Sequence, residues 1–191
     1  MIELESPLIG LPQPVRRELV VDNRACTLDE LPFLDMINLR GDAGDAGFVE
    51  ALRGATGLEL PRRANTASID GARQLIWLGP DEWLLKLAPG QGEAMADALR
   101  SALAGQHASV VELGSGNTSF ILQGPAAAEL LARGCPLDLH PRAFPSGAVA
   151  QSHIARSAAL IHCVAAGVHF EITVRRSFAN YLYRWLCEAG S

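Results

Sequence analysis

The sequence is short of charge and of aromatic residues: Asp, Glu, Lys and Arg make up 19% of it and Phe, Trp and Tyr 6%. An average soluble domain carries roughly 25% charge, and a surface poor in charge suits coverage by a partner. The basic residues are scattered and the net charge is −5. With no cationic stripe to neutralise phosphates, the pattern excludes nucleic-acid binding. The aromatics do not interleave with Arg or Lys as a single-strand stacking platform requires. No apolar run approaches the ~18 residues of a membrane span. The opening MIELESPLIG has no basic stretch ahead of a long apolar one, so no signal peptide is expected and the chain reads as cytoplasmic. The four cysteines, Cys26, Cys135, Cys163 and Cys187, form no C-x-x-C pair. They are expected to be reduced, buried and small-hydrophobe-like.

What the chain does have is apolar material, 49% of 191 residues, enough for one domain or two small lobes. Pro7, Pro12 and Pro14 make the first 14 residues an extended arm, either laid on a neighbouring subunit or frayed. Removing it is expected to leave the core intact. Residues 15–21 and 33–39 carry strand signal. A helix is expected over 46–56, capped by Asp45, with Phe48 and Leu52 on one face and Gly57 ending it. Strands at 73–78 and 83–87 flank the turn Gly79-Pro80-Asp81-Glu82. A helix over 92–104 closed by Gly105 and a strand over 109–113 complete the order β-α-β-β-α-β, the split βαβ, ferredoxin-like pattern. No glycine-rich nucleotide fingerprint stands at either strand-to-helix junction, which excludes a Rossmann reading of this half.

The second half reads as a strand over 118–122, a helix opened by Gly124-Pro125 and running to Ala132, and an irregular Pro-rich stretch from Cys135 to Gly147. A hairpin of residues 158–164 and 168–174 turns on Ala165-Ala166-Gly167. A last helix over 178–188, capped by Ser177, carries an apolar stripe of Phe178, Tyr181, Leu182, Trp185 and Leu186. The expected fold class is therefore α+β: an arm and first strand over 1–30, a ferredoxin-like half over 31–113, and a second α+β half over 114–191. The halves are expected to pack as one compact unit, with Trp77 and Trp185 buried.

Candidate chemistry is sparse. The five histidines, His107, His140, His153, His162 and His169, have no i, i+4 zinc spacing. His162 and His169 face each other in one hairpin register and not in another. Gly114-Ser115-Gly116 lacks the outer glycines of G-x-S-x-G and the Lys-Ser/Thr ending of a P-loop, so a tight turn accounts for it. Asp81-Glu82 reads as a solvated turn, and Glu112 and Asp138 supply no evident acid and base pair. No catalytic, cofactor-binding or metal residue is expected.

Four longer motifs, INLRG (37–41), WLGPDEWLL (77–85), LQGPAAAELLARGCPLDLHPRAF (122–144) and VRRSFANYLYRWL (174–186), occur in that order. Together they resemble the gamma subunit of heterotetrameric sarcosine oxidase. The third motif also looks like the folate-dependent aminomethyltransferase (T-protein) of the glycine cleavage system, a distant relative. The resemblance implies a complex that demethylates sarcosine oxidatively to glycine, yielding hydrogen peroxide with formaldehyde or 5,10-methylenetetrahydrofolate. It assigns FAD, FMN, NAD and tetrahydrofolate to the other subunits, and to this chain a non-catalytic role docked on alpha, beside beta and delta. The alternative is a stand-alone folate-binding, one-carbon transfer protein of aminomethyltransferase type. Where relatives tend to carry Asp-x-Ser, this chain has Glu112-Leu113-Gly114-Ser115. The Lys-Gly-Cys-Tyr motif of related iron–sulfur assembly proteins is missing, Arg133-Gly134-Cys135-Pro136 standing in its place. The candidate contact surface combines the arm, with Pro12 and Pro14, the Pro-rich segment, with Pro141 and Phe144, and the pair Arg175 and Arg176.

Overall fold

A computed structural model describes residues 5–11, 15–31 and 33–190; Pro12 and Pro14 lie outside them. The elements are β1 (Arg16–Val21), β2 (Arg24–Leu31), β3 (Asp35–Arg40), α1 (Ala46–Thr56), β4 (Ala67–Asp70), β5 (Arg73–Gly79), β6 (Glu82–Leu87), α2 (Gly92–Ala102), β7 (Ser109–Glu112), β8 (Asn117–Gln123), α3 (Ala127–Ala132), β9 (Val149–Ile154), β10 (Ser157–Ala165), β11 (His169–Arg175) and α4 (Ala179–Ala189). The chain divides into two units, Leu34–Ser115 and a second formed by Met1–Phe33 with Gly116–Ser191. The fold class is mixed α+β, with two antiparallel sheets.

In the middle unit the sheet order is β4-β5-β6-β3-β7. Every neighbour is antiparallel, so β6 lies between the mutually parallel β3 and β5. This is the split βαβ arrangement with one extra edge strand, β4. Ile37, Leu39, Leu75, Trp83 and Leu85 form the core beneath Phe48 and Leu52 of α1 and Ala96 and Leu99 of α2. Asp45 accepts from the Gly47 and Phe48 amides, and Gly57 ends α1 at φ +75°. Gly41 is glycine because Phe48 needs its space: a Cβ there would stand 2.3 Å from the ring. The buried indole of Trp83 donates to the Pro61 carbonyl at 2.9 Å, so burying its N–H leaves no orphan donor.

The other unit carries a sheet of order β1-β2-β8-β11-β10-β9. Its core is the helix-covered face: Phe120, Leu122, Phe170, Ile172 and Ile161 beneath Leu130 and Leu131 of α3 and Leu182 and Leu186 of α4. Gly124 holds φ +137°, where any Cβ would lie 2.6 Å from the Ala25 carbonyl oxygen. The strand β2 is joined to β1 by Asp22 and Asn23, both at positive φ, the signature of a two-residue hairpin turn.

Several expectations need correction. The strand expected from Phe33 begins at Asp35, and Phe33 itself sits at φ +65°. Ser177 does not cap α4; it lies in a short 3-10 turn, Arg176–Phe178, and the helix starts without a side-chain cap. The stripe of α4 is consequently rotated. Ala179, Leu182 and Leu186 face the core, while Phe178 and Tyr181 are exposed. Trp77 and Trp185 are each half-buried, Trp77 against the core of the middle unit and Trp185 against that of the other. The arm, finally, is no detachable appendage over residues 5–11: Leu8 is fully buried in the core, so removing the arm removes core.

Candidate functional site

A helix N-terminus whose amides are free is a ready site for a phosphate. In the middle unit, both such places are taken by carboxylates of the chain itself. Asp45 closes α1, accepting from Gly47 N at 2.7 Å. Asp35, at the start of β3, reaches across to α2, where its Oδ2 accepts from Gly92 N at 2.8 Å. A phosphate at either end would meet the negative charge of that carboxylate. In the other unit α3 has six residues and α4 begins from a 3-10 turn.

Two of the four sequence motifs converge on one cleft of the middle unit. Arg40 and Gly41 from the end of β3, and Pro80 and Asp81 from the β5–β6 turn, line a hollow of about 680 Å³ with His107 and Ser109. Arg40 pairs with Asp81 there, while the Asp42 carboxylate, also in the lining, accepts from the Gly44 amide at 2.7 Å. Arg40 donates to both carboxylate oxygens of Asp81, at 3.2 and 3.0 Å. Asn38 donates to Glu82 at 2.8 Å, so Asp81-Glu82 is engaged in the turn rather than merely solvated. Exposed pairs of this kind contribute at most about 1 kcal/mol, but here they fix the turn that joins β5 to β6.

The remaining candidates are placed as structure. In the β10–β11 hairpin His162 stands opposite Glu171 and His169 opposite Ala165, so the two histidines are not a cross-strand pair. The His162 Nδ1 is 3.9 Å from a Glu171 oxygen, with both side chains buried. Burial lowers the pKa of His169 from 6.5; Glu171 opposes that shift and His162 adds to it. Among the described residues, no three His, Cys, Asp or Glu side chains gather as a metal ion requires. Burial raises the pKa of the Cys26 thiol, and also those of Cys163 and Cys187, which keeps these thiols protonated and poor as nucleophiles. Gly114 to Gly116 form one turn of 3-10 helix between β7 and β8. Glu112 is held by Arg100 at 2.8 Å, and Asp138 accepts from the His140 amide at 3.0 Å.

The expected contact residues fare differently from one another. Phe144 is buried and stacked on Phe170, with ring centroids 6.5 Å apart; it belongs to the core, because a Pro-rich segment without regular structure still needs an apolar anchor. Pro141 is exposed and lies beside Gly167 in the hairpin turn. Arg175 is exposed, while Arg176 is half-buried and donates to the Glu5 carbonyl at 2.6 Å, tying the arm down. Sequence reasoning missed the buried carboxylate of Glu30, which accepts from Ser6 at 2.6 Å and Thr118 at 3.3 Å. Its signal was the alternation Cys26, Leu28, Glu30 along β2, which aims the acid at the same face as two core residues.

The model of the sarcosine oxidase, gamma subunit family matches residues 40–191. The gamma subunit of sarcosine oxidase from Corynebacterium sp. (strain U-96) is 34% identical over 187 residues, covering 97% of this chain and 89% of that protein. The gamma subunit from Arthrobacter sp is 39% identical over 123 residues, or 63% of this chain and 58% of that one. Among solved structures, the heterotetrameric sarcosine oxidase of Corynebacterium sp. U-96, in complex with pyrrole 2-carboxylate, contains a chain that superposes with a TM-score of 0.82 at 34% identity, over 90% of this chain and 86% of that one. The glycine cleavage system aminomethyltransferase T of Bartonella henselae superposes with a TM-score of 0.58 at 20% identity, over 83% of this chain but 44% of that enzyme. That second likeness is one of fold.

Proposed function

The chain belongs to the sarcosine oxidase gamma subunit family, and from that premise we propose that it is the non-catalytic gamma subunit of a cytoplasmic heterotetrameric sarcosine oxidase. The complex would remove the methyl group of sarcosine. Sarcosine, oxygen and water give glycine, formaldehyde and hydrogen peroxide; with tetrahydrofolate, the one-carbon unit leaves as 5,10-methylenetetrahydrofolate and no water is consumed. FAD, FMN, NAD and tetrahydrofolate are held by the other subunits in this reading. This chain docks on alpha, beside beta and delta, and supports assembly and stability.

The observation that carries the non-catalytic part is the closure of both helix N-termini of the middle unit by Asp35 and Asp45. The test is to purify the chain alone and with the large subunits. We expect a colourless chain without sarcosine-dependent peroxide production, and an active complex that retains the chain through purification. A chain that carries stoichiometric flavin, or turns over sarcosine alone, would refute the assignment.

A further inference from the structure

Of the 16 residues that are Lys or Arg, 15 are arginine, and the single lysine is Lys86. It does not stand at the surface. Lys86 lies on β6, where Leu85 and Leu87 turn into the helix-covered core, so its side chain takes the opposite face of the sheet. There it is 2% exposed, with Met36 and Gln74 beside it on the neighbouring strands. Lysine is among the residues least often buried. A bias of composition toward arginine would leave a remaining lysine exposed, so its place is a feature of the fold. The other strong side-chain nucleophile is withdrawn too. Cys26, Cys135 and Cys163 are buried, and Cys187 is half-buried. Burial raises the pKa of Cys26, Cys163 and Cys187, which keeps thiolate scarce. The surface shows arginine instead. Arg62, Arg156 and Arg184 are exposed, and a guanidinium stays charged at any ordinary pH.

These residue types differ sharply toward aldehydes. A neutral amine adds to the carbonyl carbon of formaldehyde, forms a carbinolamine, and loses water to give an imine. A second nucleophile, such as the ring carbon of an exposed tyrosine, then adds to the imine carbon. Its proton passes to the nitrogen, and a methylene bridge joins the two without any oxidant or reductant. A guanidinium, protonated and delocalised, is a poor starting point for the first step. Tyr181 is 38% exposed, but without an amine-derived imine it has little to attack. Resting on the reaction proposed above, which releases formaldehyde when tetrahydrofolate is absent, we propose that this chain is an aldehyde-passive subunit: its folded surface offers no side-chain amine to the formaldehyde of its own complex, so it neither collects imines nor cross-links to its neighbours. Arginine supplies positive charge at the surface without the amine. Burial keeps the one lysine amine out of reach.

The test adds isotopically labelled formaldehyde to the full chain, in wild-type form and as the triple variant Arg62→Lys, Arg156→Lys, Arg184→Lys, with adducts located by peptide mapping. The variant keeps every surface charge, so its melting midpoint before treatment should match the wild type. Side-chain labelling of the folded wild type, the amino terminus set aside, should be at least about tenfold slower than that of the variant, whose adducts should sit on the three new lysines. Lys86 should take up label only when the chain is held above its melting midpoint. Side chains of the folded wild type labelled as fast as the variant's, or Lys86 labelled in the folded chain, overturn the proposal. Both chains are then assembled with the large subunits and turned over on sarcosine without folate. The wild-type chain should stay unmodified, while the variant should gain adducts and cross-links. A variant left equally clean during turnover, although the free variant reacts, also overturns the proposal. A complex that releases no formaldehyde from sarcosine overturns the reaction itself and with it the proposal; the labelling of the free chain tells the two failures apart.

Discussion

Gly134 and Trp185 touch so closely that a Cβ on the glycine would stand 2.4 Å from the Cη2 of the indole. One residue comes from the loop after α3 and the other from α4, and together they lock two of the sequence motifs to each other. The indole lies against bare backbone, so its position depends on the missing side chain. Gly134→Ala must push the ring or the loop aside. The expected cost is about 1–3 kcal/mol, the usual range for overpacking a tight contact. Urea denaturation of the isolated chain measures it, and an unchanged midpoint would mean the ring has another resting place.

Phe144 tests whether the Pro-rich segment is surface or core. Its ring is buried and stacked on Phe170. Truncation to alanine should destabilise the isolated chain by about 3–5 kcal/mol, as for large-to-small changes in a packed core. A pure contact residue would leave the melting midpoint of the isolated chain untouched and weaken only assembly, so the two roles separate in one thermal melt.

The arm makes a similar prediction. Leu8 is fully buried, and Ser6 anchors the segment to the buried Glu30 carboxylate at 2.6 Å. Leu8→Ala should cost about 2–5 kcal/mol, and removal of residues 1–14 should cost more, because Glu30 then loses its Ser6 donor. A truncated chain with a wild-type melting curve would show that residues 5–11 contribute nothing to the fold.

How much of this was legible in the sequence follows from the range of the forces involved. The middle unit was readable because its signals are local. Asp45 and Gly57 bracket an amphipathic run, and the Gly-Pro turn lies between two apolar strands, so β-α-β-β-α-β emerges without tertiary knowledge. The strand β2 was overlooked although Asp22-Asn23 is a hairpin signal, because Asp29 and Glu30 make its second half look polar. Glu30 is buried only because Ser6 and Thr118, distant in sequence, satisfy it. The start of α4 was misread for the same kind of reason: Ser177 is a good capping residue by type, but the backbone enters through a 3-10 turn and the helix begins after it. The motifs carried the family. What those residues do had to come from coordinates, since Gly41, Gly124 and Gly134 are glycines on account of neighbours far along the chain.

Acid should weaken the fold through His169. Burial lowers its pKa below the ordinary 6.5, with Glu171 opposing and His162 adding. Between the lowered folded value and 6.5 the unfolded chain holds a proton that the folded chain rejects. The stability from this site is therefore complete above 6.5 and is lost as pH falls through that window. His169→Gln removes the titration, so the drop in melting midpoint from about pH 7.5 to about pH 5.5 should be smaller in the variant than in the wild type. An identical drop in both proteins would place the pH dependence on other groups.

Asp35 bears on both fold and function, because α2 has no cap of its own. The N-terminal residue Gln91 makes no side-chain bond to the helix, and the carboxylate that serves instead comes from β3, 57 residues earlier in the chain. The contact is close on both sides, since a Cβ at Gly92 would stand 2.9 Å from the Asp35 carboxyl carbon. A negative charge at this place satisfies one orphan amide and opposes the positive end of the helix dipole. Asp35→Asn keeps an acceptor and loses the charge, so it should cost only part of what Asp35→Ala costs, about 0.5–2 kcal/mol for a lost cap. The functional consequence is separable. If the carboxylate is what closes the helix end to phosphates, inorganic phosphate or pyrophosphate should raise the melting midpoint of the Asp35→Ala chain, partly restoring it, and leave the wild type unmoved. A wild-type chain stabilised equally by pyrophosphate would show that the end of α2 is open after all and would remove the ground for calling this subunit non-catalytic.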